Sequence, residues 1–79
     1  MSQPEYDLEL DARGLFCPEP VMMLHGRVAE VPEGAVLRVV ATDPSTTRDV
    51  PRFCQFLGHE LLAEQHSETE YVYFIRRGA

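Results

Sequence analysis

Residues 6–24 read Tyr6-Asp7-Leu8-Glu9-Leu10-Asp11-Ala12-Arg13-Gly14-Leu15-Phe16-Cys17-Pro18-Glu19-Pro20-Val21-Met22-Met23-Leu24. Within this stretch the hydrophobic period changes from two to about 3.6. Tyr6, Leu8 and Leu10 alternate with Asp7, Glu9 and Asp11, the pattern of a strand with one wet face. Gly14 then permits a turn that other residues resist. Val21, Leu24, Val28 and Val31 recur at helical spacing, and Pro18 and Pro20 suit a first helical turn, where amide donors have no partner inside the helix. The reading is strand, loop, helix. The helix is expected to start near Cys17 or Pro18 and to run to about Glu30, before Pro32-Glu33-Gly34 stops it. Gly26 in its interior costs about 1 kcal/mol relative to Ala, so a separate reason for it is expected.

Working outward, Val36 to Ala41 is an apolar, β-branched run interrupted by Arg38 and reads as a central strand. Asp43-Pro44-Ser45 makes a turn. A second helix is expected from about Asp49 as N-cap, with Ser45 to Arg48 as a preceding turn, because Pro51 is awkward deep inside a helix. Its apolar stripe is read as Val50, Phe53, Phe56 and Leu57, and Gly58 closes it. Leu61 to His66 reads as a third strand, Ser67 to Glu70 as a polar turn, and Tyr71 to Arg76 as a fourth strand. The order β-α-β-α-β-β predicts an α+β fold: a two-layer α/β sandwich with two helices packed on one face of a four-stranded mixed sheet. Residues 1–5 read as a flexible tail and residues 6–79 as one domain.

The bulk composition narrows the function. A chain of 79 residues buries only about 60% of its unfolded surface, so it has one small core and no large enclosed pocket. The net charge of −6 disfavours direct binding to nucleic acid, which calls for a basic patch. All the basic residues are Arg, which leaves no lysine for Schiff-base chemistry. Two cysteines, Cys17 and Cys54, are too few for a disulfide-stapled secreted domain. No signal peptide and no apolar run of membrane-spanning length is visible. The expectation is a cytoplasmic protein with free thiols, no membrane contact and no direct contact with nucleic acid, monomeric when free.

The chemistry lies in Cys17-Pro18-Glu19-Pro20. A helix N-terminus favours an anion, and the thiolate is the reactive form of cysteine. Gly14, Pro18, Glu19 and Pro20 set the loop and the helix start. Glu19 opposes a thiolate by its charge, and Arg13 offsets it if the loop folds back. The competing reading is a small apolar filler, which two prolines and a loop make a poor fit. With no Cys-x-x-Cys pair, a single exposed thiol can accept sulfur from a donor persulfide and pass it on by thiol exchange. Such exchange needs no cofactor and no metal.

The remaining candidates carry bland alternatives. Cys54 is read as a core residue, with a resolving thiol for Cys17 as the sharper reading. His25, His59 and His66 match no zinc spacing. The turn containing Asp43, Thr47 and Arg48 is read as capping chemistry, or as a contact site in which Arg48 holds an anionic persulfide or a partner carboxylate. Met22 and Met23 are candidates for an exposed apolar docking contact beside Cys17.

Leu10-Asp11-Ala12, Gly14-Leu15, Cys17-Pro18-Glu19-Pro20-Val21 and Asp43-Pro44-Ser45-Thr46-Thr47-Arg48-Asp49-Val50-Pro51 together resemble the TusA sulfur carriers, also called the SirA-like family. Phe53-Cys54-Gln55-Phe56 and Gly58-His59-Glu60-Leu61 extend the likeness, and the Thr-Thr-Arg-Asp-x-Pro segment narrows it to the TusA branch. The resemblance implies a Cys17 persulfide and a sandwich like the C-terminal domain of a translation initiation factor. It also implies a cysteine desulfurase as donor and a downstream sulfur-relay protein as acceptor. The end product is 2-thiouridine at the wobble position of certain tRNAs. Some relatives serve molybdenum-cofactor synthesis or sulfur oxidation. Gly26 stands where the family often has Lys, with Arg27 beside it, and Phe16 where close relatives can have Arg. A sulfurtransferase-like carrier is thus the first expectation. The alternatives are a non-catalytic interaction or regulatory domain, and a redox protein pairing Cys17 with Cys54.

Overall fold

The computed structural model describes residues 4–78. The chain runs β1 (Leu8–Ala12), α1 (Glu19–Val28), β2 (Val36–Ala41), α2 (Thr46–Leu57), β3 (Glu60–His66) and β4 (Tyr71–Arg76). The sheet order is β1-β2-β4-β3. β1 lies parallel to β2, and β4 is antiparallel to both β2 and β3. This is the expected α+β sandwich with a mixed four-stranded sheet. Of the expected tail, Met1 to Gln3 lie outside the described residues, and Pro4 and Glu5 carry no regular structure.

Alternation along the strands divides the apolar residues between two faces. Leu10 of β1, Leu37 and Val39 of β2, and Tyr73 and Ile75 of β4 form the main core with Leu24 and Val28 of α1 and Val50, Phe53 and Cys54 of α2. The opposite face carries a smaller cluster of Val40, Val72 and Phe74. Tyr6 was expected in β1 on the Leu8 side. It instead precedes the strand and lies over this second face, its ring centroid 6.2 Å from that of Phe74. Asp7 is the cause. Its amide donates to the Val36 carbonyl at 2.8 Å and its carboxylate accepts from the Val36 amide at 2.9 Å, which turns the chain before pairing begins.

The helix boundaries depart from the sequence reading in two ways. α1 has Pro18 as N-cap and ends at Val28, short of Glu30. α2 has Ser45 as N-cap and contains Pro51, so the expected turn over Ser45 to Arg48 is the helix's first turn. Local polar bonds hold that turn without help from Pro51. The amides of Thr46 and Thr47 donate to the carbonyls of Asp43 and Pro44, those of Arg48 and Asp49 donate to the Ser45 carbonyl, and the Thr46 and Thr47 hydroxyls bond back to the Asp43 and Pro44 carbonyls. Gly58 closes α2 with φ at 76°, a left-handed conformation suited to glycine. Phe56, expected in the core, is 87% exposed. Thr46, Val50, Phe53 and Cys54 form the buried stripe, and at 3.6 residues per turn Phe56 points about 100° away from its centre. A side chain at Gly26 would meet no atom within 4 Å, so packing supplies no reason for that glycine.

One buried hydrogen bond joins the sheet to α2. The Thr46 hydroxyl lies 2.8 Å from the Tyr73 hydroxyl. Thr46 donates its only hydroxyl proton to the Asp43 carbonyl at 2.8 Å, so Tyr73 is the donor between them. Both residues are buried. Removing the phenol as Tyr73→Phe loses one hydrogen bond and is expected to cost about 1 kcal/mol. Thr46→Val strands the buried Tyr73 hydroxyl and is expected to cost more, about 1–3 kcal/mol. Urea denaturation of the two variants checks this order.

Candidate functional site

Cys17 is exposed and immediately precedes the N-cap of α1. Gly14, with φ at 81°, turns the chain after β1, and its amide donates to the Thr42 hydroxyl at 2.9 Å. The Cys17–Pro18 peptide bond is cis. The amide of Cys17 donates to Asp43 Oδ2 at 2.7 Å, while Asp43 Oδ1 accepts the Ser45 amide at 3.0 Å. One carboxylate thus joins the cysteine loop to the start of α2. Those two amides, Ser45 first and Cys17 second, hold the Asp43 carboxyl below the usual carboxylate range.

The sulfur does not use the α1 terminus in the expected way. Among the described residues, its hydrogen-bond partner is Asp49 on α2: the Cys17 thiol donates to Asp49 Oδ2 at 3.5 Å. The first-turn amides of α1 explain this. Of the four residues at the helix start, Pro18 and Pro20 have no amide donor and that of Glu19 donates to the Phe16 carbonyl at 2.8 Å, which leaves only that of Val21. The prolines stiffen the turn and also remove donors. Asp49 is held ionised mainly by Arg48, whose Nε donates to Asp49 Oδ1 at 2.9 Å. Arg48 is 57% exposed at its side chain and Asp49 only 20%.

The other sequence candidates fall into three groups. Met22 and Met23 are 62% and 43% exposed, with Phe16 at 71%, so an apolar collar surrounds the cysteine in sequence. Pro20 is buried beneath it and Glu19 is exposed. Thr47 lies in the first turn of α2, where its hydroxyl donates back to the Pro44 carbonyl at 2.8 Å. Arg13 does not fold back toward Cys17. Its side chain makes two bonds to the Asp11 carboxylate, at 2.9 and 3.0 Å, and reaches Glu70 at 3.5 Å. That fork holds the Asp11 carboxyl down to about 2. Arg27 lies in the last turn of α1, bonded to Glu30 and to the Glu9 carbonyl, roughly 15 Å along the helix from the cysteine.

Cys54 is free and buried, and burial pushes its thiol up to about 11. A group in that environment is a poor thiolate, so the resolving-thiol reading gives way to the core reading. His25 packs edge-on against Phe53 with centroids 4.7 Å apart, and His59 stacks on the same ring at 5.6 Å. No cluster of three or more His, Cys, Asp or Glu suited to a metal ion occurs among the described residues. Among the described residues, no helix is long and apolar enough to cross a membrane. Sequence reasoning missed two features: Asp49 as the partner of the thiol, and a groove of about 460 Å³ between the helices, lined by Val21, Phe53, Phe56 and Leu57 together with Asp49 and Arg52. Phe56, misassigned to the core, is its most exposed apolar wall.

Comparison with known proteins places this geometry. Residues 8–77 match the family model described as Sulfurtransferase TusA. The chain is 60% identical over 81 residues to the sulfur carrier protein TusA of Pseudomonas syringae pv. syringae strain B728a, covering 98% of this chain and 96% of that one. It is 61% identical over 74 residues to the protein of the same name from Pseudomonas entomophila strain L48, covering 94% and 92% of the two chains. A SirA-like protein of Desulfitobacterium hafniense, solved by crystallography, superposes with a TM-score of 0.78 at 20% identity, covering 92% of this chain and 100% of that one. The last likeness speaks for the fold alone. The chain belongs to the TusA family.

The two aspartates make the site acid-sensitive. Asp43 has a lowered pKa in the fold, so its contribution is complete above the ordinary Asp value of about 3.9 and is lost as the pH falls through the lowered value. Asp43→Asn is expected to be less stable than the parent near neutral pH. The difference should narrow as the pH falls below about 4. Thermal melts across that range measure it.

Proposed function

We propose that this TusA-family chain is a sulfur carrier that takes sulfane sulfur from a cysteine desulfurase as a persulfide on Cys17 and passes it to a downstream relay protein in the cytoplasm, for the synthesis of 2-thiouridine at tRNA wobble positions. The observation that carries the reading is the exposed Cys17 thiol. It stands just ahead of α1, with its backbone fixed by Asp43 and its sulfur beside the Asp49–Arg48 pair. A fixed backbone presents the sulfur in one place, and exposure lets a protein-borne thiol or persulfide reach it.

The transfer is an exchange at sulfur. The Cys17 sulfur attacks the outer sulfur of the donor persulfide. The donor S–S bond breaks as the new one forms, and the donor leaves as a thiol. Reversal with an acceptor thiol empties the carrier. Arg48 supports the loaded form, because its guanidinium carries five donors and, among the described residues, Nε alone is engaged, on Asp49 Oδ1. Phe16, Met22 and Met23 supply apolar contact for the partners. A net charge of −6 suits a carrier that meets protein partners rather than the RNA itself.

The test is intact mass spectrometry after incubation with a cysteine desulfurase and L-cysteine. The parent and Cys54→Ala are expected to gain the mass of one sulfur atom, reversibly with reductant. Cys17→Ser is expected to gain none while keeping its circular dichroism spectrum. A folded Cys17→Ser variant that still accepted and relayed sulfur would sink the proposal.

A further inference from the structure

The empty thiol of Cys17 donates to a carboxylate, and that carboxylate has the wrong charge for the loaded side chain. We propose that Asp49 is a positioning residue that responds to the loading state of Cys17: it holds the empty thiol against α2 and turns the persulfide anion outward, toward Arg48 and the acceptor. The inference rests on the persulfide reading above and adds a role for a residue outside the Cys-Pro-x-Pro motif.

The geometry gives Asp49 two separate tasks on its two oxygens. Oδ2 accepts the Cys17 thiol at 3.5 Å and Oδ1 accepts Arg48 Nε at 2.9 Å. Asp49 sits in the first turn of α2 with a side chain only 20% exposed, so it cannot follow the sulfur into solvent. The charged groups around the sulfur come from three elements. Asp49, Arg48 and Arg52 belong to α2, Asp43 belongs to the β2–α2 connection, and Glu19 belongs to the first turn of α1. Three of these five are acidic, and Arg48 is the cation bonded to Asp49.

Loading changes what Cys17 can offer. A donor persulfide R–S–SH and Cys17–SH give R–SH and Cys17–S–SH. The proton leaving the Cys17 sulfur ends on the departing donor thiolate. The transferred sulfur keeps its oxidation level, so no outside oxidant or reductant is needed. Afterwards the inner sulfur has no proton left to donate, and the bond to Asp49 Oδ2 is lost. The outer S–H ionises more readily than an ordinary thiol, because the neighbouring sulfur spreads the charge. An anion then faces a fixed carboxylate whose other oxygen is paired with the Arg48 guanidinium. Rotation about the Cys17 side chain relieves the repulsion and exposes the outer sulfur.

Two readouts test this on the intact chain. The first is the S–H stretching band of Cys17 in the infrared, isolated as the difference between the parent and Cys17→Ser. It is expected at lower frequency in the parent and in Asp49→Asn, whose amide oxygen still accepts, than in Asp49→Ala. The second is the Cys17 side-chain rotamer from NMR couplings, before and after loading with glutathione persulfide, the extent of loading being verified by mass. Loading is expected to change the rotamer in the parent and to leave it unchanged in Asp49→Asn, where the repelling charge is gone. A parent band indistinguishable from that of Asp49→Ala overturns the proposal, as does a parent rotamer unaffected by loading. If Asp49→Ala fails to fold, the rotamer comparison of the parent with Asp49→Asn decides. Loading from a small persulfide keeps this test separate from that of the carrier role, which fails or stands on transfer from the desulfurase.

Discussion

A chain of polar contacts running from the sheet interior to the cysteine holds the site together. Tyr73 lies on β4, paired with Val39 of β2 on one side and Glu64 of β3 on the other. Its buried hydroxyl donates to Thr46, and Thr46 donates to the Asp43 carbonyl. The carboxylate of the same Asp43 then takes the amides of Ser45 and Cys17. The first turn of α2 and the loop before α1 are thereby referred to one interior strand. In a chain whose exposed loops have few apolar anchors, this gives the reactive sulfur a fixed address. Buried hydrogen bonds add little net energy but are costly to leave half-made, so each member of the chain restricts the others.

The two faces of the sheet do different work. One is covered by both helices and holds the main core. On the other, Arg38 packs its guanidinium over the rings of Tyr6 and Phe74, and pairs with Glu9. Arg13 pairs with Asp11 and Glu70. Opposite charges screen a small apolar strip there, and Arg13 is thereby drawn away from Cys17. The cysteine end of the molecule is left with acidic neighbours and Arg48.

The element order was legible in the sequence because β1 and α1 carry clear hydrophobic periods and β2 and β4 are runs rich in β-branched or aromatic residues. The failures have local causes. Pro51 argued for a late start to α2, yet the hydroxyls of Thr46 and Thr47 and the carboxylate of Asp43 support a full turn before the proline is reached. Phe56 was assigned to the core on its chemistry, although its angular position on α2 places it outside. Tyr6 follows the alternation in sequence but not in space, since Asp7 ends the pairing. Cys17 was legible from its prolines and loop. The Asp49 contact was not, because it depends on how two helix starts approach each other across the top of the sheet. Only long-range pairing sets that distance.

The same geometry revises how the Cys-Pro-x-Pro motif works. A helix start is usually credited with stabilising an anion through its free amides. Here two of those amides are absent because the residues are proline, and a third, that of Glu19, is bonded to the Phe16 carbonyl. What the prolines supply is a rigid approach that places the cysteine one residue outside α1 and leaves its sulfur to be governed by α2. Asp49 contacts the thiol and Arg48 is bonded to Asp49, so the side chain that holds the sulfur comes from the Thr-Thr-Arg-Asp segment rather than from the motif containing the cysteine. The Cys-Pro-x-Pro motif and the Thr-Thr-Arg-Asp segment are therefore parts of one site. The first fixes where the sulfur stands, and the second fixes which charges it meets.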